Sequence, residues 1–504
     1  MNRLMFTVVL LFAGISWGIT DFSASEKSDI IIYGATSDQR VGFDVASGDV
    51  NNDGIDDILL GTAFTEPEYA FLFVNPSSLD NEVFLDSDTP DVAFKGAADY
   101  NNFGESVAIA DFNGDGKGDI IIGADGADYK SRTGAGSVYI FFGKDFSNGT
   151  TIDLSTDSPD VIIGGSASGD TFGQDISSGY FNDDSYEDLI VVAGYTNSGK
   201  GTAYVIAGGD DTPTTDIDIL SSSRVKVKLN NRDPYDGLGQ VVGSGDINGD
   251  NLDDMIVGIP ISGPSFYNSY RGRVCVIFGN NSSQTINLSS QSPDLTFYGS
   301  HEDDSIGQAV ASGDLNGDGI DDLILQANSD QGRYEDPGLV YILYGKTTWT
   351  AGSTITISSS NWDVKIYGED DYDSFGMALS VCQYDGSKPE DLFIGAYSHS
   401  ENSSYSQEGA VYILKGSSSW SAQKVIAAEN NPNIPVRITG GSDGRCGYSV
   451  SSGNFDSDFL SDVLIGAPIA DLGSNSMAGR AFVITYKTLN RPESGIDGYW
   501  MMLK

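Results

Sequence analysis

Aspartate and asparagine recur at every second position in short loops along this chain, a spacing that suits metal coordination. In the first such loop Asp49, Asn51, Asp53 and Asp57 stand around a bend at Gly54, with the carbonyl of Ile55 free to join them. The nine-residue pattern returns as Asp111, Asn113, Asp115, Lys117 and Asp119, as Asp246, Asn248, Asp250, Leu252 and Asp254, and as Asp314, Asn316, Asp318, Ile320 and Asp322. A looser copy has Asn454, Asp456, Asp458, Leu460 and Asp462. Oxygen ligands at alternate positions of a tight turn wrap one hard cation, and their number and flexibility suit Ca²⁺ better than Mg²⁺, so about four to five Ca²⁺ ions are expected. The bland alternative, Asp/Asn-rich turns without metal, leaves carboxylates crowded on one loop with nothing to offset their repulsion. An EF-hand would need a bidentate Glu at its twelfth position, where these loops have Leu60, Ile122, Val257, Leu325 and Ile465. Two further loops, Tyr180 to Asp188 and Gln383 to Asp391, have lost ligands and are expected to bind poorly.

The loops belong to a unit repeated seven times, with first loop positions at Asp49, Asp111, Tyr180, Asp246, Asp314, Gln383 and Asn454, a spacing of roughly 67 residues. Each unit opens on an apolar-Gly pair such as Phe103-Gly104, Phe172-Gly173, Leu238-Gly239, Ile306-Gly307 or Phe375-Gly376. A short strand, the acidic loop and a second apolar strand follow, then a turn of the type Gly466-Ala467-Pro468 and two more strands. Short β-branched and aromatic runs punctuated by Gly, Asn and Asp are strand signals, and no segment holds a helical period. Seven units of four antiparallel strands predict an all-β, seven-bladed propeller, in which each blade covers its neighbours' faces. A strand of the fourth type, residues 29–35, precedes the first unit, and the last unit ends on a strand of the third type. The N-terminal strand is therefore expected to complete the C-terminal blade and close the ring.

Composition narrows the function classes. With 27 basic against 72 acidic side chains the net charge is −45, which repels phosphate backbones and anionic lipid, so no nucleic-acid partner is expected. The 39% apolar content is enough for a large core. Residues 1–18 read as a secretory signal peptide, residues 25–490 as a single propeller and residues 491–504 as a tail; no segment of the mature chain is expected to span a membrane. The expected location is secreted, with any cell-surface association made through a partner. Cys275, Cys382 and Cys446 are too few and too scattered for a disulfide framework and read as buried thiols, with a Cys382–Cys446 bond the alternative. Glycosylation sequons stand at Asn148, Asn280, Asn281, Asn287 and Asn402.

The apolar-Gly pair, acidic loop and Gly-Ala-Pro turn, recurring in that order over about residues 25–490, resemble the FG-GAP repeats best known from the propeller head of integrin α subunits. The resemblance implies Ca²⁺ in the hairpin loops between first and second strands, and ligand binding on the opposite face. Leg domains, a transmembrane helix and a cytoplasmic tail are not found, so a complete integrin subunit is not expected. Phospholipase D enzymes specific for glycosylphosphatidylinositol carry the same repeats; their zinc-bearing catalytic domain would find no room between Gly18 and Asp29.

Alternating strand direction puts the metal loops on one face and the second-to-third and fourth-to-first connections on the other. That other face collects Tyr100, Tyr129, Tyr195, Tyr235, Tyr267, Tyr270, Tyr334, Tyr372, Tyr397 and Tyr405, and tyrosine offers recognition surfaces much area at small entropic cost. Tyr267, Tyr270 and Tyr334 are the candidates for contact with an extracellular protein or glycan; packing of loop on loop is the alternative. His301 and His399 read as solvated loop residues around which no catalytic set can be assembled. The chain is accordingly expected to be a calcium-bearing binding or adhesion module and not an enzyme. The alternatives left open are a lectin-like propeller and a calcium-dependent carbohydrate-active enzyme.

Overall fold

The computed structural model of the chain describes residues 20–24, 28–64, 66–210, 215–233, 236–238, 241–262, 270–329, 337–358, 361–400, 407–429, 431–440 and 444–489. Its strands form seven sheets arranged as a seven-bladed propeller. From the axis outward, blade 1 comprises Val45–Gly48, Asp57–Gly61, Tyr69–Phe73 and Val92–Lys95. The other six repeat this antiparallel order, with blades 2 to 7 beginning at Val107, Phe172, Val241, Val310, Phe375 and Ser449.

Position within the blade dictates residue type. Second strands are sandwiched between neighbouring blades, and every residue of Asp119–Ala124, Asp254–Ile259, Asp322–Ala327 and Asp462–Ala467 is buried. Outer strands alternate, as Val92–Lys95 does, because only one of their faces meets a neighbour. The core is thus a set of inter-blade layers. In one of them Ile190, Val192 and Val205 of blade 3 pack on Val257, Cys275 and Ile277 of blade 4, each large aliphatic side chain contributing about 1.5–3 kcal/mol by burial. All three cysteines are free and buried.

The apolar-Gly pair sets the joint between blades. Phe103 is buried in the layer, and Gly104 stands at φ +93, where a Cβ would lie 2.6 Å from the Tyr69 carbonyl oxygen. Its own carbonyl is so close to Gly61 of the preceding blade that a Cβ there would come within 2.2 Å of it. Glycine on both sides of the joint is therefore a steric requirement. Cys446-Gly447 occupies the same place in blade 7, with Gly447 at φ +81, which gives the Cys446 thiol its burial.

Each sheet has five strands where the sequence pattern predicts four. The fifth comes from the third-to-fourth connection of the next blade and pairs in parallel with the outer strand, as Thr150–Asp153 does with Val92–Lys95 and Gln284–Asn287 with Val225–Asn230. It covers an edge that would otherwise offer unpaired N–H and C=O groups. The N-terminal segment makes two pairings of different kinds. Ile30–Tyr33 pairs antiparallel with Arg480–Ile484, in the register Ile30 to Val483 and Tyr33 to Arg480. Thr20–Ser23 lies parallel to Val436–Thr439 as the fifth strand of blade 6.

On the face carrying the acidic loops, neighbouring blades are also tied by hydrogen bonds. The residue just before each second strand donates its N–H to the carbonyl of the first loop residue in the preceding blade, from Gly118 to Asp49 at 2.8 Å and from Asp56 to Asn454 at 3.0 Å. Where that residue is acidic, its carboxylate accepts the N–H of the same first loop residue. Glu187 accepts from Asp111 at 2.7 Å, Asp253 from Tyr180 at 2.7 Å, Glu390 from Asp314 at 2.9 Å and Asp56 from Asn454 at 2.7 Å.

Candidate metal centres and the opposite face

In the loops of blades 1, 2, 4 and 5 the first aspartate folds the turn around itself. Asp49 accepts from the N–H groups of Asp53 at 3.1 Å and Gly54 at 2.7 Å. Asp111 accepts from Asp115 and Gly116, each at 2.9 Å. Asp246 accepts from Asp250 at 3.0 Å and Asn251 at 2.7 Å, and Asp314 from Asp318 and Gly319, each at 2.9 Å. Asn251 carries φ +67 where the other loops have glycine, a conformation asparagine tolerates. The third ligand position is held in turn, since Asp53, Asp115, Asp250 and Asp318 each accept from the N–H two residues on.

The last aspartate of each loop begins the second strand and is fully buried. Asp57 accepts from Val50 N–H at 2.9 Å and Asn75 N–H at 2.8 Å, and Asp254 from Ile247 N–H at 3.2 Å and Gly279 N–H at 3.0 Å. Burial, reinforced by the neighbouring loop carboxylates, pushes Asp57 and Asp119 up to about 7 and Asp254 and Asp322 up to about 8. Asp322 Oδ2 is buried with no hydrogen-bond partner. The charges of Asp318 and Asp314 reach Asp322, and a buried, unpartnered carboxylate oxygen among them fits a divalent cation. In each loop the ligand set would be the aspartates and asparagine together with the carbonyl of Ile55, Lys117, Leu252 or Ile320.

The remaining loops differ. In blade 7 Asp456, Asp458 and Asp462 lie close enough to share one ion, and burial raises Asp462 to about 7. Asn454 turns its amide nitrogen toward the Gly54 carbonyl of blade 1 at 3.4 Å and leaves its Oδ1 buried without a hydrogen-bond partner. The ammonium of Lys487 sits 2.8 Å from Asp456 and 3.5 Å from Asp458. In blade 6 the ammonium of Lys415 lies 3.0 Å from Asp385.

Of the tyrosines assigned to the opposite face, Tyr100, Tyr195, Tyr270 and Tyr372 are exposed. Tyr129 is buried, its ring against Gly164 and its hydroxyl hydrogen-bonded to Asp216. Tyr267 and Tyr334, with Tyr235 and Tyr405, lie outside the described residues. On the ring axis at this face, a cavity of about 400 Å³ is lined by Asp44, Glu105, Asp175, Gln174, Gln308 and Tyr448 among others. Burial raises Asp44 to about 6 and Asp175 to about 7. Burial and then the charge of Asp125 raise Glu105 to about 8. The sequence pattern missed this cavity, because its residues come singly from successive blades. His399 is a second departure. Read as a solvated loop residue, it is 1% exposed, with Nδ1 2.9 Å from Asp373 Oδ2, because the two connections carrying them fold onto each other at the rim of blade 6.

The fold is a seven-bladed propeller, and two of its blades match the FG-GAP repeat. The FG-GAP repeat family model matches residues 103–141 and 306–343, which span most of the first three strands of blade 2 and of blade 5. The chain is similar to phosphatidylinositol-glycan-specific phospholipase D of Bos taurus, with 30% identity over 209 residues, covering 40% of this chain and 24% of that protein. It is similar to integrin alpha-8 of Gallus gallus, with 33% identity over 38% of this chain and 19% of the integrin. With integrin alpha pat-2 of Caenorhabditis elegans it shares 29% identity over 44% of this chain and 18% of that protein. The chain thus spans about a fifth to a quarter of the length of these relatives. The expectation that it is not an enzyme is overturned by the phospholipases, which are enzymes by name and share 29–31% identity with it in five species. That expectation rested on finding no catalytic set among the histidines, and a motif search restricted to local sequence is a weak test of activity. Among the described residues no helix is long and apolar enough to cross a membrane.

Proposed function

We propose that the chain is a secreted, calcium-bearing recognition propeller, with Ca²⁺ held in the loops of blades 1, 2, 4 and 5 and an extracellular protein or glycan bound on the tyrosine-bearing face. The observation that carries the metal assignment is the set of fully buried loop aspartates crowded by further carboxylates, with Asp322 Oδ2 left unpartnered. Calcium in this scheme is structural: it replaces carboxylate repulsion with shared coordination at four joints of the ring. The exposed Tyr270, Tyr195 and Tyr372 on the opposite face support a binding role there. Chelator should lower the melting temperature and Ca²⁺ restore it; equal melting temperatures with and without chelator would remove the metal assignment. Replacing Tyr267, Tyr270 and Tyr334 by Ala should weaken capture of partners from extracellular fluid at unchanged stability, and unchanged capture would remove the face assignment.

A second reading is favoured by the phospholipase relatives: the propeller serves an activity directed at phosphatidylinositol-glycan anchors. Release of a glycan-anchored reporter from vesicles by the purified chain would establish it.

A further inference from the structure

In two of the seven acidic loops an ammonium group of the chain itself lies within ion-pair distance of the loop carboxylates. Lys487 reaches Asp456 and Asp458 in blade 7, and Lys415 reaches Asp385 in blade 6. Both lysines follow the third strand of their blade, Lys415 directly and Lys487 three residues on. At the position of Lys487, three residues past the third strand, blades 1 and 4 have Pro76 and Asn280, and blades 2 and 5 have Lys144 and Lys346, whose ammonium groups lie over the rings of Phe146 and Trp349. Among the described residues, no ion pair reaches the loop aspartates of those four blades.

We propose that Lys487 is the resident cation of the seventh loop, so that its ammonium stands in place of Ca²⁺ and the loop takes the metal only when the lysine is removed. The proposal rests on the reading of the other four loops as calcium sites. Two features of the loop agree with it. An ammonium 2.8 Å and 3.5 Å from two carboxylates stands in the cluster that a cation would occupy. The strand-starting Asp462 accepts the Tyr486 N–H at 2.8 Å, which places the lysine's own backbone against the loop.

Location gives the device a purpose. Blade 7 is where the chain ends meet: Thr485 and Thr488 both hydrogen-bond Asp29, beside the strand that pairs with Arg480–Ile484. A covalently attached cation keeps this seam closed at calcium levels that empty the other loops.

The test is calcium titration calorimetry of metal-stripped wild type, Lys487→Met and Lys487→Arg, with melting temperatures of all three in chelator. Wild type and Lys487→Arg should bind four equivalents, one for each loop of blades 1, 2, 4 and 5, and Lys487→Met should bind one more. In chelator Lys487→Met should melt a few degrees below wild type, with the arginine variant unchanged. Equal stoichiometry in wild type and Lys487→Met, or an unshifted melting temperature of Lys487→Met in chelator, would overturn the proposal. If wild type binds no calcium the reading of the four loops fails, and the melting comparison in chelator still decides the role of the lysine.

Discussion

At the scale of the residue, the loop aspartates carry a pH dependence with a definite sign. Asp57, Asp119, Asp254 and Asp322 are raised in the metal-free fold to about 7, 7, 8 and 8, chiefly by burial. A carboxyl whose folded pKa exceeds its unfolded value binds more protons when folded, so its contribution to stability falls as pH rises from about 4 to 8. Metal-free protein should therefore melt higher at pH 5.5 than at pH 8, and Ca²⁺ should raise the melting temperature more at pH 8. Calcium binding at pH 7 should also release protons, read by calorimetry in buffers of different ionisation enthalpy; no buffer dependence would show that these groups are already ionised. The acidic loops themselves were legible in the sequence because alternation along one loop is a local property. His399 and Tyr129 were misjudged because their burial depends on connections that meet only in the folded ring.

At the scale of the element, the fifth strand is the principal correction to the four-strand pattern. Segments such as Thr150–Asp153 and Thr215–Asp218 carry a single apolar residue, Ile152 or Ile217, among polar ones, too little for a strand to stand out. The repetition of that isoleucine in Gln284–Asn287 and Ser353–Thr356 is the signal that could have revealed them. The N-terminal member is testable. Deleting residues 20–24 should leave the ring closed by Ile30–Tyr33 and increase amide exchange in Val436–Thr439, whose parallel partner it removes. Exchange unchanged in that strand would show that Thr20–Ser23 protects nothing.

At the scale of the whole molecule, stability depends on every joint, because a ring opened at one place exposes two blade faces. The hydrogen bonds from each loop to the next blade put part of that closure into the backbone. Asp56→Ala would leave the half-buried Asn454 N–H without its carboxylate, at a cost of about 1 kcal/mol. The loss should appear in denaturant unfolding of the calcium-loaded protein, and an unchanged midpoint would remove the carboxylate from the closure. The seven-fold repeat made the ring legible from the sequence; which blade each connection supports was not, because that depends on how far a connection reaches sideways. Each one reaches back to the blade before it, so the blades overlap like roof tiles. In blade 7 the gap between the third and fourth strands separates Arg480–Ile484 from Ile30–Tyr33, strands from opposite ends of the described residues. The six equivalent gaps are therefore sites where the chain could be cut and its old ends joined without disturbing a sheet. For the same reason, a module exchanged between such rings must run from mid-blade to mid-blade to bring its own covering strand.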